Sequence, residues 1–282
     1  MINFSEPIYR LRNTLHTFLL LAGMIFLAGS IGWLIAGAVG VVWSLIIGMI
    51  LTVTAPRLTP RLILYLYNAT RLPYQQSSKL AEVITWLTAN SHIAENPKLY
   101  YIPSSAMLAF TVGMNKDKSI AISDGLLREL NIRELTAVLA HEISHIKSND
   151  LWILSVADII SQLTRAMALI AYLMIILYFP LYVIEEIKIP YLLIILLILA
   201  PTASALMQLA LSRTREFNAD MQAIKLTGDP DGLISALIKI EHYDKSLLKK
   251  LFLPSFRTSG PSLLRTHPDT DERIERLRLI SK

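Results

Sequence analysis

The chain has 282 residues, of which 53% are hydrophobic, 17% are charged and none is cysteine, and its mean hydropathy is +0.47. So apolar a composition excludes an ordinary soluble domain, and the lack of cysteine excludes a disulfide framework and fits a reducing compartment. The net charge of +5 is not interleaved with aromatic side chains, which argues against a nucleic-acid surface and leaves attraction to anionic lipid as its reading.

The apolar residues come in blocks. No Asp, Glu, Lys or Arg occurs between Arg12 and Arg57, a run long enough for two bilayer crossings at roughly 20 residues each. It is too long for a cleaved signal peptide. Gly37 and Gly40 offer the turn between expected spans at 16–36 and 39–56.

The next stretch carries enough charge to leave the bilayer. Residues 98–103 and 119–123 alternate Tyr, Ile and Ala as short strands do. Residues 108–112 fit an edge strand, along which an extended peptide could pair, and fit plain core packing equally well. A helix is expected over 132–148: Asn131 followed by Glu134 makes a capping box at its start, and Ser148-Asn149-Asp150 ends it. This helix carries His141-Glu142-Ile143-Ser144-His145. Residues i and i+4 share one helix face, so both imidazoles can reach one zinc ion while Glu142 stands beside it to activate a water. A third ligand is still required.

Two further uncharged stretches, 166–184 and 189–212, form a second expected hairpin, with Glu185, Glu186 and Pro190 marking the turn. After it comes Ser212-Arg213-Thr214-Arg215-Glu216-Phe217-Asn218-Ala219-Asp220. Glu216 and Asp220 at i and i+4 suit a solvated helix face. Beside a zinc motif that lacks a ligand, Glu216 reads instead as the carboxylate ligand and Asp220 as the group that orients a histidine. A hairpin centred near residue 187, with a chain reversal at 148–150, brings Glu216 level with the two histidines. Helices near 229–251 and 270–281 are joined by a connector over 254–268 rich in Pro, Ser and Gly. His267 lies in that connector, and His16, His92 and His242 have no chemical context. Basic residues gather at the same ends of the spans (Arg10, Arg12, Arg57, Arg61, Arg213, Arg215), which puts both termini and the 57–165 segment on the cytoplasmic side.

In this order the elements resemble the HtpX-type membrane zinc metallopeptidases, which are related to the CAAX prenyl endopeptidases. The resemblance rests on Pro97-Lys98-Leu99-Tyr100-Tyr101-Ile102-Pro103-Ser104, on Ile122-Ser123-Asp124-Gly125-Leu126-Leu127 and on the His-Glu-x-x-His helix. Ser212-Arg213-x-x-Glu216-x-x-Ala219-Asp220 and Thr266-His267-Pro268 with Arg273-Ile274 complete it. It implies a mainly α membrane protein with four transmembrane helices and a cytoplasmic gluzincin-like catalytic domain containing a small β-sheet. It also implies one Zn2+ per chain on His141, His145 and Glu216, with Glu142 as general base and His267 as an oxyanion donor or occasional fourth ligand. The expected division is a hairpin over 1–56, a catalytic segment over 57–165, a second hairpin over 166–212 and a ligand-bearing tail over 213–282. The partners implied are protein substrates, above all misfolded or damaged membrane proteins, and the lipid bilayer of the inner (plasma) membrane.

One departure concerns substrate preference. Where the family commonly shows Asn-Ala-Phe-Ala, this chain has Leu108-Ala109-Phe110-Thr111, so the polar contact an Asn would make is lost and apolar side chains are favoured. A zinc-binding holdase would have no use for Glu142, and a CAAX-type processing peptidase generally carries more spans. Both are rival readings, and a transporter is a third, disfavoured because polar residues such as Thr202 and Gln208 are sparse in the spans.

Overall fold

A long uncharged run has few ways to satisfy its backbone away from water, and helix is the simplest. In the computed structural model, which describes residues 6–73, 78–113, 117–184, 191–250 and 270–281, helix α1 covers Glu6–Leu66. It is not one rod. Ala36 (φ −142°, ψ 24°) and Gly37 (φ +58°) leave helical geometry, and a positive φ suits the residue without a Cβ. A methyl group on Gly40 would collide with the Gly32 backbone, and one on Gly32 with the Gly40 carbonyl. Eight residues of straight helix span about 12 Å, so the chain doubles back here.

The other elements are β1 (Thr70–Arg71), α2 (Ser78–Asn90), β2 (Lys98–Ile102), β3 (Ala109–Val112), β4 (Ser119–Ser123), α3 (Asp124–Glu129) and α4 (Ile132–Ser148). They are followed by α5 (Asp150–Val183), α6 (Tyr191–Thr227), α7 (Pro230–Lys250) and α8 (Thr270–Ser281). Among the described residues, three helices are long and apolar enough to cross a membrane, Asn13–Thr54, Asp150–Pro180 and Ile194–Thr227. The chain divides into two compact units, Met1–Ala55 with Ile153–Leu211, and Pro56–Trp152 with Ser212–Lys282.

The first unit packs through small residues. Ile31 meets Ala168, Ala171, Leu197 and Ala200, while Met24 and Ala28 meet Ala157, Ile160 and Leu211. Such residues let helices approach closely where apolar burial gives no drive. Its outer face is apolar, with Phe26, Met49 and Leu177 each 73% exposed, a surface that suits lipid rather than water.

The second unit is built on a sheet of order β1-β2-β4-β3, with β2 and β4 parallel and the other pairs antiparallel. Strand alternation splits β4 between two cores. Ile120 and Ile122 join Ile84, Leu87, Leu99, Leu139 and Ile143 on the helical side, while Ala121 joins Ile63, Ile102, Phe110 and Val112 on the other. Helix α4 is buried from Ala137 to Ile146. Its ends are fixed by local chemistry: Asn131 and Glu134 form the reciprocal capping box, and Asn149, at φ +53°, closes the C-terminus by donating its N–H to the carbonyls of His145 and Ile146.

Glu134 also ties α4 to α7, accepting from Ser235 Oγ at 2.6 Å and Lys239 Nζ at 2.8 Å. Burial alone would raise its pKa, but Lys239, Ser235 and the Asn131 N–H hold it below the ordinary glutamate value. A carboxylate with a depressed folded pKa stabilises the fold above its unfolded pKa and loses that contribution as pH falls through the folded value. Glu134→Ala should therefore lower the unfolding free energy by about 2–4 kcal/mol near neutral pH. The deficit should shrink in acid, as melts of the two proteins across pH 3–7 will test.

Candidate metal centre

Helix α4 places the His141 and His145 rings edge to face, with their Nε2 atoms 3.1 Å apart. Glu216 of α6 reaches the same point, with Oε2 3.3 Å from His141 Nε2 and Oε1 3.5 Å from His145 Nε2. These are the edges of a small tetrahedron: ligands at ~2.0–2.1 Å from a tetrahedral ion stand ~3.3 Å from one another.

Two carboxylates fix the histidines from behind. Asp220 Oδ1 lies 2.8 Å from His141 Nδ1, and Asp150 Oδ2 lies 2.9 Å from His145 Nδ1. A carboxylate only accepts, so each Nδ1 carries the proton and each Nε2 presents a lone pair to the centre. Both aspartates are held in turn. Arg215 donates to Asp150 Oδ1 at 3.2 Å, and Arg273 of α8 forks onto Asp220 at 2.8 and 2.6 Å and stands 3.3 Å from Glu216 Oε2. Glu142 is held separately, by Thr111, whose Oγ1 donates to its Oε2 at 2.7 Å.

The whole cluster is shut away from water, no member exceeding 7% exposure. Glu142, Asp150, Glu216 and Asp220 set against Arg215 and Arg273 leave two negative charges, the deficit that a divalent cation balances. Burial would lower the pKa of either histidine, but for His141 the bonds to Asp220 and Glu216 outweigh it and raise the value. For His145 the bonds to Asp150 and Glu216 raise it well above the ordinary one. Burial likewise opposes the Arg273 charge, and Asp220, Glu216 and Glu142 more than restore it. The cluster thus attracts positive charge at its centre, and the donor set of two nitrogens and one oxygen fits a small tetrahedrally coordinated metal ion. Beside His145 lies a cavity of about 340 Å³, lined by Gly113, Lys118, Ile146, Asn149, Leu151 and Trp152.

Of the residues singled out in the sequence, His141, Glu142, His145, Glu216 and Asp220 come together here, and His267 lies outside the described residues. Four members of the cluster had no such signal. Asp150 stood only as a helix stop, Arg215 as a flanking charge, Arg273 as an element of the family pattern, and Thr111 as part of a short strand.

Residues 74–281 match Peptidase family M48. The chain belongs to this family. Among its relatives, a protein named protease HtpX homolog from Pyrococcus furiosus is 33% identical over 280 residues, covering 94% of this chain and 95% of the relative. Protease HtpX from Legionella pneumophila is 33% identical over 281 residues, covering 95% and 99%, and an HtpX homolog from Streptococcus thermophilus is 31% identical over 291 residues, covering 95% and 97%. Among solved structures, that of S. mikatae Ste24p is similar at a TM-score of 0.46 and 21% identity, covering 98% of this chain and 66% of that longer one. An M48 chain with three helices of membrane-crossing length and apolarity is a membrane metallopeptidase.

Proposed function

We propose that this M48 peptidase is a zinc endopeptidase that cuts misfolded or damaged membrane proteins at the cytoplasmic face of the inner (plasma) membrane, as a quality-control enzyme. The observation that carries the proposal is the convergence of two Nε2 atoms and the Glu216 carboxylate beside a buried Glu142. The break at Ala36–Gly37 supports a reading of α1 as two crossings and of the chain as four, in hairpins over 1–56 and 166–212. The basic residues at the span ends support cytoplasmic placement of both termini and of the catalytic segments 57–165 and 213–282.

Zinc on His141, His145 and Glu216 would supply Lewis acidity, lowering the pKa of a water toward ~7 and polarising the scissile carbonyl. The chain's own residues do the rest. Asp150 and Asp220 keep the two imidazoles in the ligating tautomer. Glu142 takes the proton from the attacking water and returns it to the leaving amine nitrogen. His267 is the proposed oxyanion donor. The outer edge of β3 offers main-chain groups to an extended peptide, Leu108 favours apolar side chains next to it, and the cavity beside His145 has room for one substrate side chain.

The test is metal analysis of the purified protein, with cleavage of casein or an unfolded membrane protein before and after chelation. Chelation should abolish cleavage and zinc should restore it. Cleavage that survives complete removal of metal would overturn the proposal.

A further inference from the structure

We propose that Thr111 is the positioning residue for Glu142, its hydroxyl anchoring one carboxylate oxygen so that the other is the one aimed to take the proton. The inference rests on the proposed role of Glu142 as proton acceptor and names a second residue on which that role depends.

Strand β3 leaves Thr111 little freedom. Its backbone is registered against Ile120 of β4, and Phe110 and Val112 on either side are packed in the core on one face of the sheet. Alternation then sends the Thr111 side chain to the opposite face, toward α4. A β-branched residue has a stiff χ1, and this one is 7% exposed. Its hydroxyl has one proton to give. The Glu142 carbonyl, at 3.4 Å, is a poor acceptor, whereas Oε2, at 2.7 Å, is at the preferred distance for a hydroxyl donor.

A neighbouring charge gives the anchor a purpose. The Arg273 guanidinium is charged, interacts electrostatically with Glu142, and already gathers Asp220 and Glu216. A glutamate has three rotatable side-chain bonds, and an unanchored carboxylate would spend part of its time turned toward that charge. With Oε2 held by Thr111, the base is set before substrate arrives.

The experiment compares Thr111→Val, which keeps the shape and removes the donor, with Thr111→Ser, which keeps the donor, and with Glu142→Gln. All are assayed on one substrate at matched metal content. Thr111→Val should lower kcat roughly tenfold with KM unchanged, and Thr111→Ser should restore it. In crystals the Glu142 carboxylate should leave its position in the valine form and keep it in the serine form. Should the valine form not fold, Thr111→Ala takes its place in the same comparison. Wild-type kcat without the hydroxyl, a change in KM alone, or a serine form as slow as the valine form would overturn the assignment. An inactive Glu142→Gln beside an unimpaired valine form would remove only the role of Thr111. A fully active Glu142→Gln would remove the role of Glu142 and this assignment with it.

Discussion

Replacing Glu142 by Gln should lower kcat by about 10²- to 10⁴-fold, the range that general acid–base catalysis contributes, while the protein keeps its metal. The amide has nearly the shape of the carboxylate and still offers an oxygen to Thr111 Oγ1, so the side chain should stay in place. What it loses is the ability to carry a proton between water and leaving amine. Stability should move the other way. The cluster holds four buried carboxylates against two guanidiniums, and neutralising one relieves repulsion in the metal-free protein, so that form should melt at or above the wild-type temperature. A site arranged for chemistry at a cost to stability behaves in this way. Metal analysis, melts with and without chelator, and kcat on a casein-like substrate are sufficient measurements. Near-wild-type turnover would mean that the proton acceptor is another group.

Local chemistry was legible in the sequence because it is short-range. The i, i+4 spacing of His141 and His145 guarantees one face, and the Asn131–Glu134 box and Asn149 bracket α4 as Ile132–Ser148. Gly37 marked a turn because few other residues tolerate its φ. The stretch around 108–112 fitted both an edge strand and core packing, and the structure shows why: β3 lies at the edge of the sheet while Phe110 and Val112 fill a core. Glu216 and Asp220 stood out only as a pair that a solvated face would also show, and it took the histidine motif to give them meaning. The supporting shell was hidden for a physical reason. Asp150 reaches His145 across the left-handed residue Asn149 that ends α4, and a string of residues gives no sign of that contact. Arg273 is 132 residues from His141, and only the return of α8 brings it to Asp220.

Arg273 should prove the most costly side chain to remove. Arg273→Met takes away the fork on Asp220 and the contact with Glu216, leaving two buried carboxylates without their cation. Breaking a buried pair from one side costs about 3–5 kcal/mol, and the metal-free variant should lose that much. The metal-loaded variant should lose less, because a divalent ion then compensates Glu216 and, through His141, draws on the charge of Asp220. The rise in Tm on adding zinc should therefore be larger in the variant than in the wild type. Helix α8 has other anchors: Ile274 and Leu277 lie in the core, and the Arg276 guanidinium stacks 3.7 Å from the Phe217 ring centre. Those anchors keep the helix docked, so the variant reports charge rather than the loss of an element. Arg273→Lys restores the charge without the planar fork and should recover part of the deficit. An equal loss with and without metal would mean that Arg273 acts by packing α8, and compensation of the site's charge would have to come from elsewhere.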